Sequence, residues 1–357
     1  MPAASTFSRI SLPGCVLLAA LLLISGCKKK PVVSPVTSPP AVAPVSSTPA
    51  ATPIAPETPP PASPEKHTPL TAVTSRIDGT IALQRARTIC GLGSRAYGTP
   101  GYRQTLAWLR SELTRLGWHT VYQAFDTQTP AGPRTYTNLI ATWPADKDKP
   151  RASSNRLILT AHYDSRGSEF TNFPAASSGA AGCGIILELA DRLATAPDLA
   201  ARLQFVLFDG EEPVRQISTT DGLSGSRFFL HSLQENRQSA NIRALLAFGA
   251  VGHNGAKWTI PTLTNSILNQ TLQTFIYLQK WEGQITPLER PSWGPHLPAL
   301  QAGIPATYLN DALYPALATA DDTPEWLNAE SLRRAALASL QLLQLPPQPA
   351  APATKSN

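Results

Sequence analysis

The chain reads as an α/β protein, a three-layer α/β/α sandwich with a largely parallel central sheet. Three observations carry that reading. Strand-like and helix-like hydrophobic patterns alternate from about residue 71 to 345. Several of the strand-like runs are apolar at every position, as strands buried on both faces must be. Residues able to do chemistry follow directly after those runs, and ligands of open α/β sheets bind at the carboxyl ends of strands.

The first 27 residues stand apart from this pattern. Arg9 supplies a thin basic start, and the apolar run Val16 to Ile24 is short for a membrane span. It ends in Ile24-Ser25-Gly26-Cys27, which resembles the lipobox of bacterial lipoproteins. That resemblance implies cleavage before Cys27 and lipidation of its thiol; a plain transmembrane anchor or secretory signal is the alternative. Either way the body is expected outside the cytoplasm, lipid-anchored in the bacterial cell envelope on the first reading. Lys28-Lys29-Lys30 supply three of the six net positive charges and would lie against anionic headgroups. The remaining body is only mildly basic and shows no Lys/Arg stripe with interleaved aromatics, so nucleic acid is not an expected partner. Residues 28–70 are dominated by Pro, Ala, Val, Ser and Thr and read as a disordered Pro-rich stalk; residues 346–357 read as a second tail. Of the 4 cysteines, Cys90 and Cys183 remain for the fold, read as two separate buried thiols in preference to one disulfide.

Within 71–345 the elements follow in order. Leu106, Leu109, Leu113 and Leu116 repeat at helical spacing, and Gly117 stops that helix. His119-Thr120-Val121-Tyr122 opens an extended segment, and Thr135 to Ala141 is a strand. Arg156 to Ala161 is the next strand, ending in His162-Tyr163-Asp164-Ser165. Ile185, Ile186, Leu189 and Leu193 mark a helix. Phe205-Val206-Leu207-Phe208 is a fully buried strand that runs into Asp209-Gly210, a turn signal, and then into Glu211 and Glu212. Ala244 to Phe248 is another buried strand, and Leu268, Leu272, Phe275 and Ile276 give a helix. Ile304 to Leu309 is the last strand, with Pro305 near its start, where a missing N–H is tolerable. Asn328 is a good N-cap for a closing helix carrying Leu332, Ala336, Leu340 and Leu343 on one face.

Six blocks together resemble the co-catalytic zinc aminopeptidases and, more closely, the glutaminyl-peptide cyclotransferases built on the same fold. They are Arg95 to Gly101, Tyr136 to Thr142, Ala161-His162-Tyr163-Asp164-Ser165, Phe208-Asp209-Gly210-Glu211-Glu212, Asp221 to Arg227 and Ile304-Pro305-Ala306. The resemblance implies a zinc exopeptidase-like domain in which Glu211 holds the position of the acid/base. Glu212 would hold that of a zinc ligand, and His162 that of a ligand in two-metal members. It also exposes departures. The Asp of the family at the start of the helix is replaced within Ala176-Ser177-Ser178-Gly179, at Ser178, and the Asp on the next strand falls at Ala247. The final His falls at Ala318, and a carboxylate expected before His296 is replaced by Gly294-Pro295.

A catalytic zinc uses three protein ligands and an open position. Losing two of three removes most of a binding free energy on the order of 10 kcal/mol. The expectation is therefore a vestigial metal site and no cofactor, with peptides or protein N-termini as ligands of the old cleft. The alternative is a working zinc-dependent cyclotransferase or aminopeptidase with ligands recruited from elsewhere, His253 and His296 being the placed histidines. A third class, a metal-free serine hydrolase, rests on Gly222-Leu223-Ser224-Gly225-Ser226 or on Ser165 near His162. The first lacks the second glycine of a nucleophile elbow, and the second has too short a separation for a dyad.

Overall fold

The computed structural model describes residues 67–144, 155–168, 171–261, 264–281, 283–287 and 292–346. Cys27, the signal, the stalk up to residue 66 and all but the first residue of the tail lie outside them. The helical entry is α1 (Leu70–Thr74), α2 (Gly79–Gly91) and α3 (Pro100–Arg115). A hairpin follows, β1 (His119–Thr129) and β2 (Gly132–Thr142), then β3 (Arg156–His162) and a small ribbon, β4 (Gly167–Ser168) with β5 (Thr171–Asn172). A π turn, Ala176–Ala180, leads into α4 (Ala181–Leu193), followed by α5 (Pro197–Ala200), β6 (Leu203–Phe208) and α6 (Ser224–Glu235). The rest is β7 (Ile242–Phe248), β8 (Trp258–Ile260), α7 (Ser266–Leu278), β9 (Ile285–Pro287), α8 (His296–Gln301), β10 (Ala306–Leu309) and α9 (Ala329–Leu340).

Six strands form one sheet in the order β1-β2-β6-β3-β7-β10. The run β6-β3-β7-β10 is parallel throughout, and the β1–β2 hairpin adds an antiparallel wing through β2 and β6. Successive side chains on a strand point to opposite faces. That is why the central runs are apolar at every position. Leu157, Leu159, Phe205, Leu207, Ala244 and Leu246 belong to a core shared with α2, α4 and α9, whereas Ile158, Val206, Phe208, Leu245 and Ala247 belong to a second core under α6 and α8. The sheet is thus the middle of three layers, as the sequence predicts. Each fully buried side chain of this size stabilises by roughly 1.5–3 kcal/mol relative to exposure.

Local chemistry sets the ends of the helices. The Asp78 carboxylate accepts from Thr80 N, the Thr99 hydroxyl from Tyr102 N with Pro100 following it, and the Asn265 side chain from Ile267 N and Leu268 N. Asn328 caps α9 by accepting from Ser331 N at 3.1 Å, as read from the sequence. The sequence reading did not place α2 or α6. The opening of α6, Ser224-Gly225-Ser226, follows Leu223 in the left-handed region (φ 55°) and reads locally as a turn. Only glycine fits at 225, where a Cβ would run into the backbone of Asp209 and the side chain of Asn138. Gly210, at φ 63° after β6, likewise supplies the turn that aims the next two residues. Cys183 is buried, Cys90 is half-buried, and both are free thiols. Among the described residues no helix is long and apolar enough to cross a membrane.

Candidate functional site

The carboxyl ends of β3, β6 and β10 open onto a cleft of about 400 Å³. Glu211, Glu212, His162, Ser178 and Ala318 all line it, and so do Gly294 and Pro295, so the family positions read from the sequence come together with one exception. Ala247 does not. It is the penultimate residue of β7, opposite Tyr308 of β10, with its side chain fully buried in the second core. The apolar walls come from Ile217, Leu223, Trp293 and Tyr308, and Asn310 completes the rim. These wall residues were not singled out from the sequence. Those on loops carry no periodicity, and only the fold brings them to the strand ends.

The two glutamates differ in surroundings. Glu211 is 5% exposed; its Oε1 accepts from Ser226 N at 2.8 Å, and its Oε2 is buried without a hydrogen-bond partner. Burial pushes its carboxyl up to about 8, the Asp164 charge adds to this, and the Ser226 N–H opposes it. Glu212 is also raised by burial, against the pull of His162. Its Oε2 lies 3.6 Å from Arg166 Nε, and its backbone N–H donates to Asp164 Oδ2 at 2.9 Å. His162 Nδ1 is 3.2 Å from the Asp164 carbonyl oxygen and 3.3 Å from Oδ1. Burial alone would lower this imidazole, but the Asp164 hydrogen bond and the charges of Asp164, Glu212 and Glu211 outweigh it and raise it to about 9.

Beneath these residues Asp209 is fully buried, raised by its burial, and accepts from the Tyr102 hydroxyl and from Thr137 N. Arg95, also fully buried, donates to the carbonyls of Tyr163, Pro174 and Ala175 and so fixes the loop between β3 and the π turn.

Ser178, Glu212 and Ala318 border one small void together with Arg166 and Asp322. What occupies the ligand positions there is specific. The Ser178 hydroxyl donates to Asp322 Oδ2 at 2.8 Å, and the same carboxylate accepts from Ser177 N at 2.8 Å and Ser178 N at 3.1 Å. Asp322 is fully buried, so its charge is spent on the first turn of the helix. Ala318 has no donor and is held at φ 60°, in the left-handed region. Of the three converging positions only Glu212 therefore offers a metal-binding carboxylate. Among the described residues no three His, Cys, Asp or Glu side chains converge on a point. The side chains present do not fit a three-ligand catalytic zinc.

The histidines considered for recruitment lie elsewhere. His253 places Nδ1 3.0 Å from Ser177 Oγ and Nε2 3.2 Å from Asp311 Oδ2, and its ring stacks on Tyr314 at 3.8 Å. It borders a separate cavity of about 350 Å³. The Ser177–His253–Asp311 string has the residue types of a hydrolase triad. However, Ser177 is fully buried and its oxygen already accepts from Gly252 N and His253 N, so it presents no nucleophile. His296 is fully buried beside Tyr308, with both ring nitrogens lacking hydrogen-bond partners, and burial lowers it to about 4. Ser224 begins α6, and Ser165 Oγ accepts from Arg95 N, so neither forms a dyad with a histidine.

Residues 138–343, more than half of the chain, match the sequence profile of Peptidase family M28, and the chain belongs to that family. It is 29% identical over 260 residues to a glutaminyl-peptide cyclotransferase-like protein of Bos taurus, covering 64% of this chain and 66% of that protein. It is 29% identical over 161 residues to the glutaminyl-peptide cyclotransferase of Dictyostelium discoideum, covering 41% and 45%. The match thus spans two thirds or less of these relatives. Among solved structures, glutaminyl cyclase of an Acidobacteriales bacterium superposes with a TM-score of 0.68 at 22% identity over 79% of this chain and 97% of that one. A Zn-dependent exopeptidase of Parabacteroides distasonis superposes with 0.63 at 18% identity over 75% and 98%. The fold is that of the glutaminyl cyclases and zinc exopeptidases.

Proposed function

We propose that this chain is a lipid-anchored protein of the cell envelope whose glutaminyl cyclase-like domain binds peptide N-termini without the zinc chemistry of its family. One observation carries the reading. Ser178 and Ala318 stand with Glu212 around one void, in the places where the family resemblance calls for an Asp and a His. Without a Lewis acid to polarise a carbonyl, Glu211 alone would supply roughly 10²–10⁴-fold by proton transfer, short of the ~10⁶-fold or more that enzymes reach. Binding survives that loss, because a pocket does not depend on the metal for its shape.

A peptide α-ammonium is a compact cation with three donors. The Glu212 carboxylate at the wall of the cleft is a matching acceptor, and the unpartnered Glu211 Oε2 has hydrogen-bonding capacity left for a ligand. Trp293, Tyr308 and Ile217 offer apolar surface to the first side chain.

The test is metal content and calorimetry on the full chain after equilibration with zinc and removal of the excess. The expected result is no retained zinc, with binding of a glutaminyl peptide that is lost when its N-terminus is acetylated. About one zinc per chain would overturn the reading and call for a cyclisation assay. Anchoring has its own test: Cys27→Ala should move the protein from the membrane to the soluble fraction, and an unchanged distribution would refute lipidation.

A further inference from the structure

Among the wall residues of the cleft, Tyr308 is the one the surrounding backbone has been cleared to admit. Its ring stacks on the His296 imidazole, with centroids 5.3 Å apart and planes 17° from parallel. A Cβ at residue 294 would come within 2.6 Å of its Cε1, and a Cβ at residue 249 would run into its hydroxyl oxygen. Glycine at both positions lets the ring pass, so it is held on three sides. Position 294 is one of the two where the family resemblance calls for a carboxylate, and no side chain fits there beside this ring. A buried tyrosine hydroxyl usually finds a hydrogen-bond partner. The hydroxyls of Tyr102, Tyr163 and Tyr314 donate to Asp209, to the Thr137 carbonyl and to Asp322. That of Tyr308, which lines the cleft with Glu211 and Glu212, has no partner among the described residues. Burial and the charges of Glu212 and Glu211 push this phenol above its ordinary value, so it keeps its proton and can donate.

We propose that Tyr308 is a specificity-determining residue of the cleft, its hydroxyl donating to the first carbonyl oxygen of the bound peptide while Glu212 accepts from the α-ammonium. The proposal rests on the reading that the cleft takes peptide N-termini. The two contacts fit one ligand, because the first carbonyl oxygen is the backbone acceptor nearest the ammonium in any peptide. The Ser178 hydroxyl, another donor at this wall, is already committed to Asp322, whereas that of Tyr308 is held in place and unspent. A donor fixed by packing loses little freedom when a ligand meets it, so its hydrogen bond counts nearly in full. The cleft therefore selects α-amino acyl compounds over simple amines, which bring the cation without the oxygen.

The experiment is calorimetry on the full chain, parent and Tyr308→Phe, with two probes. One is a glutaminyl peptide; the other is its alkene isostere, in which a carbon–carbon double bond replaces the first amide and leaves no carbonyl oxygen. Tyr308→Phe should weaken the peptide about fivefold, the equivalent of one net hydrogen bond of ~1 kcal/mol, and leave the affinity of the isostere unchanged. The melting temperature should also stay unchanged, because the ring, its stack on His296 and its packing against the two glycines are retained. Equal affinity of parent and variant for the peptide, or the same loss for the isostere, would overturn the proposal and leave binding in the cleft standing. A loss of affinity that comes with a lower melting temperature would mark the hydroxyl as structural and overturn it as well. A parent chain that binds no peptide would overturn the underlying reading, and this proposal with it.

Discussion

Returning the two missing donors, Ser178→Asp together with Ala318→His, is expected to turn the cleft into a zinc site. Both positions already border one void with Glu212, so the three donors would start from one side of the cleft. The left-handed conformation of Ala318 suits the change, because histidine is among the residues enriched there. The opposing effect is calculable. Ser178 Oγ lies 2.8 Å from Asp322 Oδ2, so an aspartate at 178 sets two carboxylates within a few ångströms. At ~4 Å and an effective dielectric near 20 they repel by about 4 kcal/mol. At roughly 2 °C per kcal/mol for a domain of this size, the metal-free double variant should melt about 8 °C below the parent. A three-donor site worth on the order of 10 kcal/mol binds zinc in the tens-of-nanomolar range. Zinc at a hundredfold excess over that constant should add about 2.7 kcal/mol, a rise of at least ~5 °C. Calorimetric titration and thermal melts with and without zinc read both quantities, with the parent expected to show no zinc-dependent shift. A folded double variant that takes up no zinc at micromolar concentration would refute the placement of the ligand positions.

Other expectations follow from the same contacts. Asp322→Ala strands two buried backbone donors and the Ser178 and Tyr314 hydroxyls, and should cost about 3–5 kcal/mol in urea unfolding; a change below about 1 kcal/mol would show that the cap is not a principal tie. His253→Ala, which removes both the Ser177 and Asp311 links and the stack on Tyr314, should cost roughly 2–4 kcal/mol in the same assay, and a neutral result would count the string as incidental. Stability should also fall as pH rises. Glu211, raised from 4.5 to about 8, holds its proton longer folded than unfolded, so its contribution is complete below about 4.5 and is lost through about 8. His162, raised from 6.5 to about 9, adds a loss of the same sign between those values. Glu211→Gln should flatten the part of the profile between about 4.5 and 8, and an unchanged pH dependence would contradict the burial of that carboxyl.

The sheet was legible because burial on both faces leaves an unbroken apolar run, and Phe205 to Phe208 and Ala244 to Phe248 could hardly be anything else. The closing helix was legible from Asn328 and its leucine stripe. The site was legible where the chain delivers it directly, at Glu211 and Glu212 behind a turn signal and at His162 at the end of β3. What escaped depends on long-range contact. Asp322 shows no sign in its neighbours that it caps a helix over 140 residues away, and the string from Ser177 through His253 to Asp311 joins three segments far apart in sequence. Ala247 illustrates the converse. Its replacement of a carboxylate could be read from the family resemblance, whatever the register, but its seclusion in the core required the pairing of β7 with β10.

The family match begins at Asn138, in the middle of β2, whereas Tyr102 and Arg95 come from before it. Tyr102 holds Asp209 beneath the glutamates, Arg95 ties down the loop after β3, and α2 lies so close to α4 that a Cβ on Gly184 would meet the backbone of Ala82. The stretch that bears the family signature is therefore not an autonomous unit. A recombinant fragment cut at 138 would carry half a strand, lose the hairpin wing of the sheet and leave a buried acid without its phenol. An expression clone of the folded domain should therefore carry the preceding seventy residues as well.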